Sequence, residues 1–180
     1  MKKIINTKKG FTLIELLVVV AIISLLAAVI IAGLSDARGG AKNSVRNETA
    51  RQYVIALGLY QGEYGQYPEQ GPDVAGNTTP VCLGSYPSGC FVIGASSQNS
   101  TINTQISEFA PGLPTSLETT TVGGNDYRGI TYKCIETDCL DYELAWILEG
   151  TGSDAQCFGG AKEDPIVIGG LKFCKYSTRP

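Results

Sequence analysis

The sequence predicts an α+β chain, with one long N-terminal helix packed against a small antiparallel sheet whose loops are closed by disulfides. Three observations predict it. An apolar run from Leu16 to Leu34 passes into a weaker amphipathic pattern. Strand-like segments appear only in the second half of the chain. Six cysteines, Cys82, Cys90, Cys134, Cys139, Cys157 and Cys174, all follow the apolar run.

A chain of 180 residues has room for one modest globular domain and an appendage. With 43% hydrophobic and 17% charged residues, it is not disordered by composition. The charge is unevenly spread. Lys2, Lys3, Lys8 and Lys9 precede Gly10 with no acid among them. After Tyr60, fourteen acids stand against six bases, a balance of about −8. An acidic outer part argues against nucleic acid as a direct partner, because phosphate binding needs a basic face.

The first element is a membrane-length helix. Leu16 to Leu34 is nineteen residues with Ser24 as its one polar side chain, and at 1.5 Å per residue it spans about 28 Å. The lysines before it belong on the cytoplasmic side, which sends the rest of the chain outward. An even number of cysteines there fits an oxidising compartment. A cleaved secretory signal is one alternative, with Ala27-Ala28 or Ala32-Gly33 as its cut, but the run is long for such a core and does not stop at Leu34. A plain signal anchor explains the lysines and the length and gives no reason for Glu15. A carboxylate near the end of a membrane helix is costly to keep unless it has a use. The bland alternative seats it at the level of the lipid headgroups.

The residues KKGFTLIELLVVVAII, beginning at Lys8, resemble the class III leader and mature start of type IV pilins and of the pseudopilins of type II secretion. The resemblance is close from Lys8 to Leu34 and looser to Tyr67. It implies that a membrane peptidase cuts after Gly10, that the new terminal amine on Phe11 is methylated, and that Glu15 is the assembly glutamate. It also divides the chain into a leader (1–10), a transmembrane and assembly helix (11–34), its amphipathic continuation (35–67) and a globular head (68–180). A cut at Gly10 removes four positive charges and leaves one α-ammonium. A desolvated carboxylate is tolerated when it meets a cationic, hydrogen-bonded partner. The Phe11 ammonium of a neighbouring subunit is such a partner.

Beyond Leu34, Ala37, Ala41, Val45, Tyr53, Leu57, Tyr60 and Tyr64 recur at helical spacing, so the amphipathic helix is expected to run from Ser35 to about Tyr60 with this row inward. Arg38, Lys42 and Arg46 form a second row, expected on a solvated or subunit-facing side, where in a filament it meets acidic heads. A helix from Phe11 to Tyr60 is about 75 Å long, its first half free and its second under the head. Gly33, Gly39 and Gly40 are weak points in it, each costing roughly 1 kcal/mol against Ala. Many pilins carry a proline in this part of the helix. Here the first proline is Pro68, so any local melting is expected near Gly33 to Gly40.

The helix ends at YGQYPEQG (Tyr64 to Gly71), where Gly65 and Pro68 break it. A Gly/Pro-rich loop follows, from Pro72 to Gly94. A short helix is expected over Thr101 to Phe109. Tyr127 to Glu136 and Tyr142 to Glu149 have strand composition and form the best hairpin. Pro165 to Phe173 is a third strand with a glycine break. Trp146 and Ile130 are expected in the core. This order of elements again resembles the pilin fold. Of fifteen possible cysteine connectivities, pairs between sequence neighbours are favoured: Cys82–Cys90, Cys134–Cys139 and Cys157–Cys174. The last is comparable to the C-terminal disulfide loop of many pilins.

No catalytic site is expected. The chain has no His, so Ser-His-Asp and Cys-His arrangements are impossible. Without His or a CxxC, zinc and c-type haem spacings are missing, and no cofactor is expected. Asp154, Glu163 and Asp164 are weak calcium candidates, by likeness to some pseudopilin loops, and Asp138, Asp141 and Glu143 are a second acidic group. Both read better as solvated acids, since no EF-hand pattern is present. Asn47, Asn77 and Asn99 begin glycosylation sequons. Tyr53, Tyr60, Tyr64 and Tyr67 read as the core and tail of the helix.

The reading is therefore a non-enzymatic subunit of an extracellular type IV pilus. It is held as a single-pass precursor in the inner membrane and cut by the prepilin peptidase. The pilus assembly platform then polymerises it with copies of itself through its N-terminal helix. A type II secretion pseudopilin is the alternative within the resemblance. A monomeric membrane-anchored binding ectodomain is the alternative from another class.

Overall fold

The computed structural model describes residues 10–69, 79–86, 89–90, 98–112, 116–136, 138–150, 152–153 and 155–179. The leader as far as Lys9, the sequon residue Asn77, and Asp154 lie outside them. Two compact units divide after Arg38. The first is helical. The second, from Gly39, contains the rest of the helix and the head.

Helix α1 runs from Leu13 to Tyr64, 52 residues without interruption. Leu, Ala and Ile dominate its first half and no proline interrupts it. Gly33, Gly39 and Gly40 all lie inside it. It stops at Gly65, whose φ of 78° is readily open only to glycine. The Gly65 N–H still reaches the Gln61 carbonyl at 2.8 Å, closing the last turn.

The head contains a five-stranded antiparallel sheet. Its strands are β1 (Val81–Leu83), β4 (Ile130–Cys134), β5 (Tyr142–Glu149), β6 (Lys162–Ile168) and β7 (Leu171–Ser177), in the order β1-β4-β5-β7-β6. A separate two-stranded ribbon consists of β2 (Thr120–Val122) and β3 (Asn125–Tyr127). Helix α2 (Ser100–Ser107) begins at Asn99, whose side-chain oxygen accepts from the Ile102 N–H at 3.1 Å.

Alternation along the strands assigns the two faces of the sheet. Tyr142, Leu144, Trp146 and Leu148 of β5, with Cys174 of β7, lie in the main core with Ala50, Tyr53, Ala56 and Leu57 of α1. Ile147, Leu171 and Phe173 point the other way and are covered by Tyr127 and Val122 of the ribbon. The result is three layers: helix, sheet and ribbon. Trp146 and Ile130 are both fully buried.

Three expectations need correction. The third strand with a glycine break is a hairpin: β6 and β7 are joined by Gly169 and Gly170, both at positive φ. Two glycines that can both take φ > 0 suit a two-residue turn whose twist matches the strands. A side chain at Gly169 would also collide with Val122. Second, the loop from Pro72 to Gly94 contributes β1, three residues fully used by the core. Three residues are too few for a period-2 pattern to register. Third, Tyr127 and Ile130 belong to different strands, separated by Gly129 at φ 81°.

β6 forms one edge of the sheet. It begins Lys162, Glu163, Asp164, Pro165, and its pairing with β7 shifts register between Asp164 and Val167.

Candidate assembly helix and its seam with the head

The N-terminal unit holds the residues that the sequence singled out. Gly10 is exposed, and Phe11 is 84% exposed. Thr12 precedes the first helical residue and Glu15 lies three residues on. The Thr12 N–H and Oγ1 both donate to Glu15 Oε2, at 2.8 and 2.7 Å, and the Glu15 N–H reaches back to Thr12 Oγ1 at 3.4 Å. This reciprocal capping box satisfies two donors at the helix start. The TLIE spacing carried that signal in the sequence, and the reading of Glu15 as an assembly residue overlooked it.

From Leu13 to Ile31 the helix has a mean hydropathy of 3.1, long and apolar enough to cross a membrane. Its large apolar side chains, from Leu13 to Leu34, are 49–81% exposed. Ser24 returns its hydroxyl to the Val20 carbonyl at 2.7 Å, the usual way to hide a polar group in an apolar helix.

Beyond Leu34 the helix face expected to be buried is only half right. Tyr53, Leu57 and Tyr60 are buried, whereas Ala37, Ala41, Val45 and Tyr64 are exposed. Between residues 39 and 49 the inward positions are Asn43, Arg46 and Thr49. A pattern reading puts polar residues outside, so it chose the wrong face.

These polar residues have partners on the head. Asn43 Nδ2 donates to the Glu149 carbonyl at 2.8 Å, and the Glu149 N–H donates to Asn43 Oδ1 at 2.7 Å. The side-chain amide thus continues the pairing at the end of β5. Asn47 Nδ2 donates to the Gln156 carbonyl at 2.8 Å and its Oδ1 accepts from Trp146 Nε1 at 3.0 Å. Arg46 is 2% exposed. Its Nη2 donates to the Glu118 carbonyl and to Thr120 Oγ1, at 2.9 and 2.7 Å. Its Nη1 lies 3.4 Å from Glu149 Oε1, which also accepts from Thr120 Oγ1 and faces Lys42 Nζ at 3.4 Å. Burial pulls the Arg46 guanidinium below its ordinary pKa, and the charges of Glu149 and Glu118 oppose that pull. The expected solvated row is therefore, for Lys42 and Arg46, an internal clasp onto the protein's own head. Arg38 is exposed.

The structure has disulfides Cys82–Cys90, Cys134–Cys139 and Cys157–Cys174. The Cys134–Cys139 turn meets the end of α1, where the Tyr67 N–H donates to the Cys139 carbonyl at 2.9 Å. Glu163 pairs with Lys172 at 3.1 Å and Asp164 with Lys175 at 3.9 Å. Glu143 is shared by Lys133 and Lys175, and Asp141 accepts from Thr178. Among the described residues, no three His, Cys, Asp or Glu side chains are grouped to hold a metal. The sequon residues Asn47 and Asn99 are both engaged in internal hydrogen bonds.

Residues 5–31 match the family model of the prokaryotic N-terminal methylation motif. The chain is 46% identical over 59 residues to the type IV wide pilus major component PilA4 of Thermus thermophilus, a match that covers 33% of this chain and 45% of that protein. It thus spans less than half of the relative's length. No solved structure matches the chain. The methylation motif at the N-terminus, the partial likeness to a pilus component and the helix-on-sheet architecture are each similar to what type IV pilins show, and the α+β fold is pilin-like.

Proposed function

We propose that this chain is the precursor of a type IV pilus subunit. A prepilin peptidase cuts it after Gly10, and the Phe11 amine is methylated. The apolar helix holds it in the inner membrane until an assembly platform packs it with other copies into a surface filament. Such a subunit is structural and performs no reaction of its own.

The observation that carries this reading is Glu15 itself. It is an acid just after the Gly10–Phe11 junction, on a helix whose apolar side chains are exposed on every side. Exposed apolar surface of this extent needs lipid or other copies of the helix to cover it. Glu15 Oε2 already accepts two bonds from Thr12. The ammonium of another copy's Phe11 is then a charged donor that complements the same carboxylate. The matched relative, named as a pilus component, supports the pilus over the secretion pseudopilin.

The test is a Glu15→Ala variant expressed at its native level. It is expected to enter the membrane and to be cut after Gly10 while filaments disappear from the cell surface. Normal filaments would overturn the role given to Glu15. Mass spectrometry of the mature protein checks the processing. An intact Met1, or a cut after Ala28, would remove the basis for the whole reading. Wild-type filaments seen only on overproduction would favour the pseudopilin.

A further inference from the structure

The seam between α1 and the head is built of two unlike halves. From Ala50 to Tyr60 it is apolar, with Ala50, Tyr53, Ala56, Leu57 and Tyr60 buried. From Gly39 to Thr49 it is polar. The buried residues there are Asn43, Arg46 and Thr49, and no large apolar side chain of that stretch is buried. The two kinds of contact differ in strength. A buried apolar side chain of Leu or Phe size contributes about 1.5–3 kcal/mol, against about 1 kcal/mol net for a typical hydrogen bond. A buried ion pair returns little beyond its desolvation cost.

The helix itself is weaker over the polar half. Gly39 and Gly40 lie at its start. Two hydroxyls turn back on the helix, Ser44 to the Gly40 carbonyl at 3.0 Å and Thr49 to the Val45 carbonyl at 2.8 Å. Such back-bonds slightly destabilise and bend helices. Thr49 marks the boundary between the two halves.

We infer that the seam is hinged near Thr49: residues 39–49 detach from the head as a unit while 50–60 stay docked. Opening returns Arg46, Lys42 and Glu149 to water and releases the ribbon segment at Glu118 and Thr120. The side chains of 39–49 that lose partners on the head, Asn43, Arg46 and Asn47, are polar and regain hydrogen bonds from solvent, and of the large apolar core residues only the Trp146 indole N–H gives up a hydrogen bond, the one to Asn47. The hinge lets the helix leave the head in more than one direction without unfolding the core around Trp146. It is a property of the single chain and stands whether or not the chain forms filaments.

Amide hydrogen exchange on the full chain in detergent micelles tests this, at low salt and at 0.5 M NaCl. The amides of 43–49 are expected to exchange at least tenfold faster than those of 50–60. Salt should speed exchange over 43–49 several-fold, because it screens the clasp once water reaches it, and leave 50–60 unchanged. Replacing the charges by Arg46→Met with Glu149→Leu should weaken that salt response, leaving only the part due to the Lys42–Glu118 pair at 3.2 Å. Equal protection in both halves, or no salt response in the wild type, would overturn the hinge. If the double variant fails to fold, the wild-type salt series still decides.

Discussion

Two stretches of one helix follow opposite rules. Before Leu34, α1 exposes leucines, valines and isoleucines. After Gly39, it buries an arginine, an asparagine and a threonine. The difference teaches that burial follows the covering surface as much as the residue type. The head offers carbonyls and a carboxylate at the polar half, so Asn43 and Arg46 go in. The apolar stretch before Leu34 is exposed, a surface suited to lipid or to other copies of the helix. Hydrophobicity alone therefore reads the first stretch correctly as a membrane-length segment and misreads the second.

Substitutions along the helix and its partners can break or sharpen this contrast. The largest effect is expected at Trp146→Ala, which empties a fully buried site and leaves Asn47 Oδ1 without its indole donor. It should destabilise the head by about 4 kcal/mol in calorimetric unfolding. Glu149→Ala should cost less, about 2 kcal/mol, because Arg46 can return to water when the polar half opens, unlike a fully trapped partner. A loss as large as that of Trp146→Ala would show the polar half to be as firmly held as the apolar one. Smallest is Leu17→Ala, on the exposed stretch. It should change unfolding of the head by no more than about 0.5 kcal/mol. A larger shift would mean that the two stretches are energetically coupled.

Much of the fold was legible in the sequence for physical reasons. The apolar run is long enough to average out local noise, and Gly65 and Pro68 mark the helix end unambiguously. The β5 alternation in YELAWILE is a plain period-2 signal and places Trp146 correctly. What was not legible involved partners distant in sequence. Arg46 looks like a solvent residue until Glu149 and Thr120, more than seventy positions away, are brought beside it. β1 is too short to show a pattern, and the Gly169-Gly170 turn hides inside what looks like one strand. At the candidate site, the run KKGFTLIE was readable as a motif. The bond between Thr12 and Glu15 needed the geometry of the helix start.

The irregular edge at β6 bears on how this sheet meets the edge of any other. A straight, uncharged edge strand is a template for another chain, and crowding turns it into a seed for amyloid-type growth. β6 opens with Lys162, Glu163, Asp164 and Pro165 and then shifts register, which leaves a charged, irregular edge with a missing N–H. If copies pack as the proposed filament requires, heads with such an edge can touch without their sheets fusing.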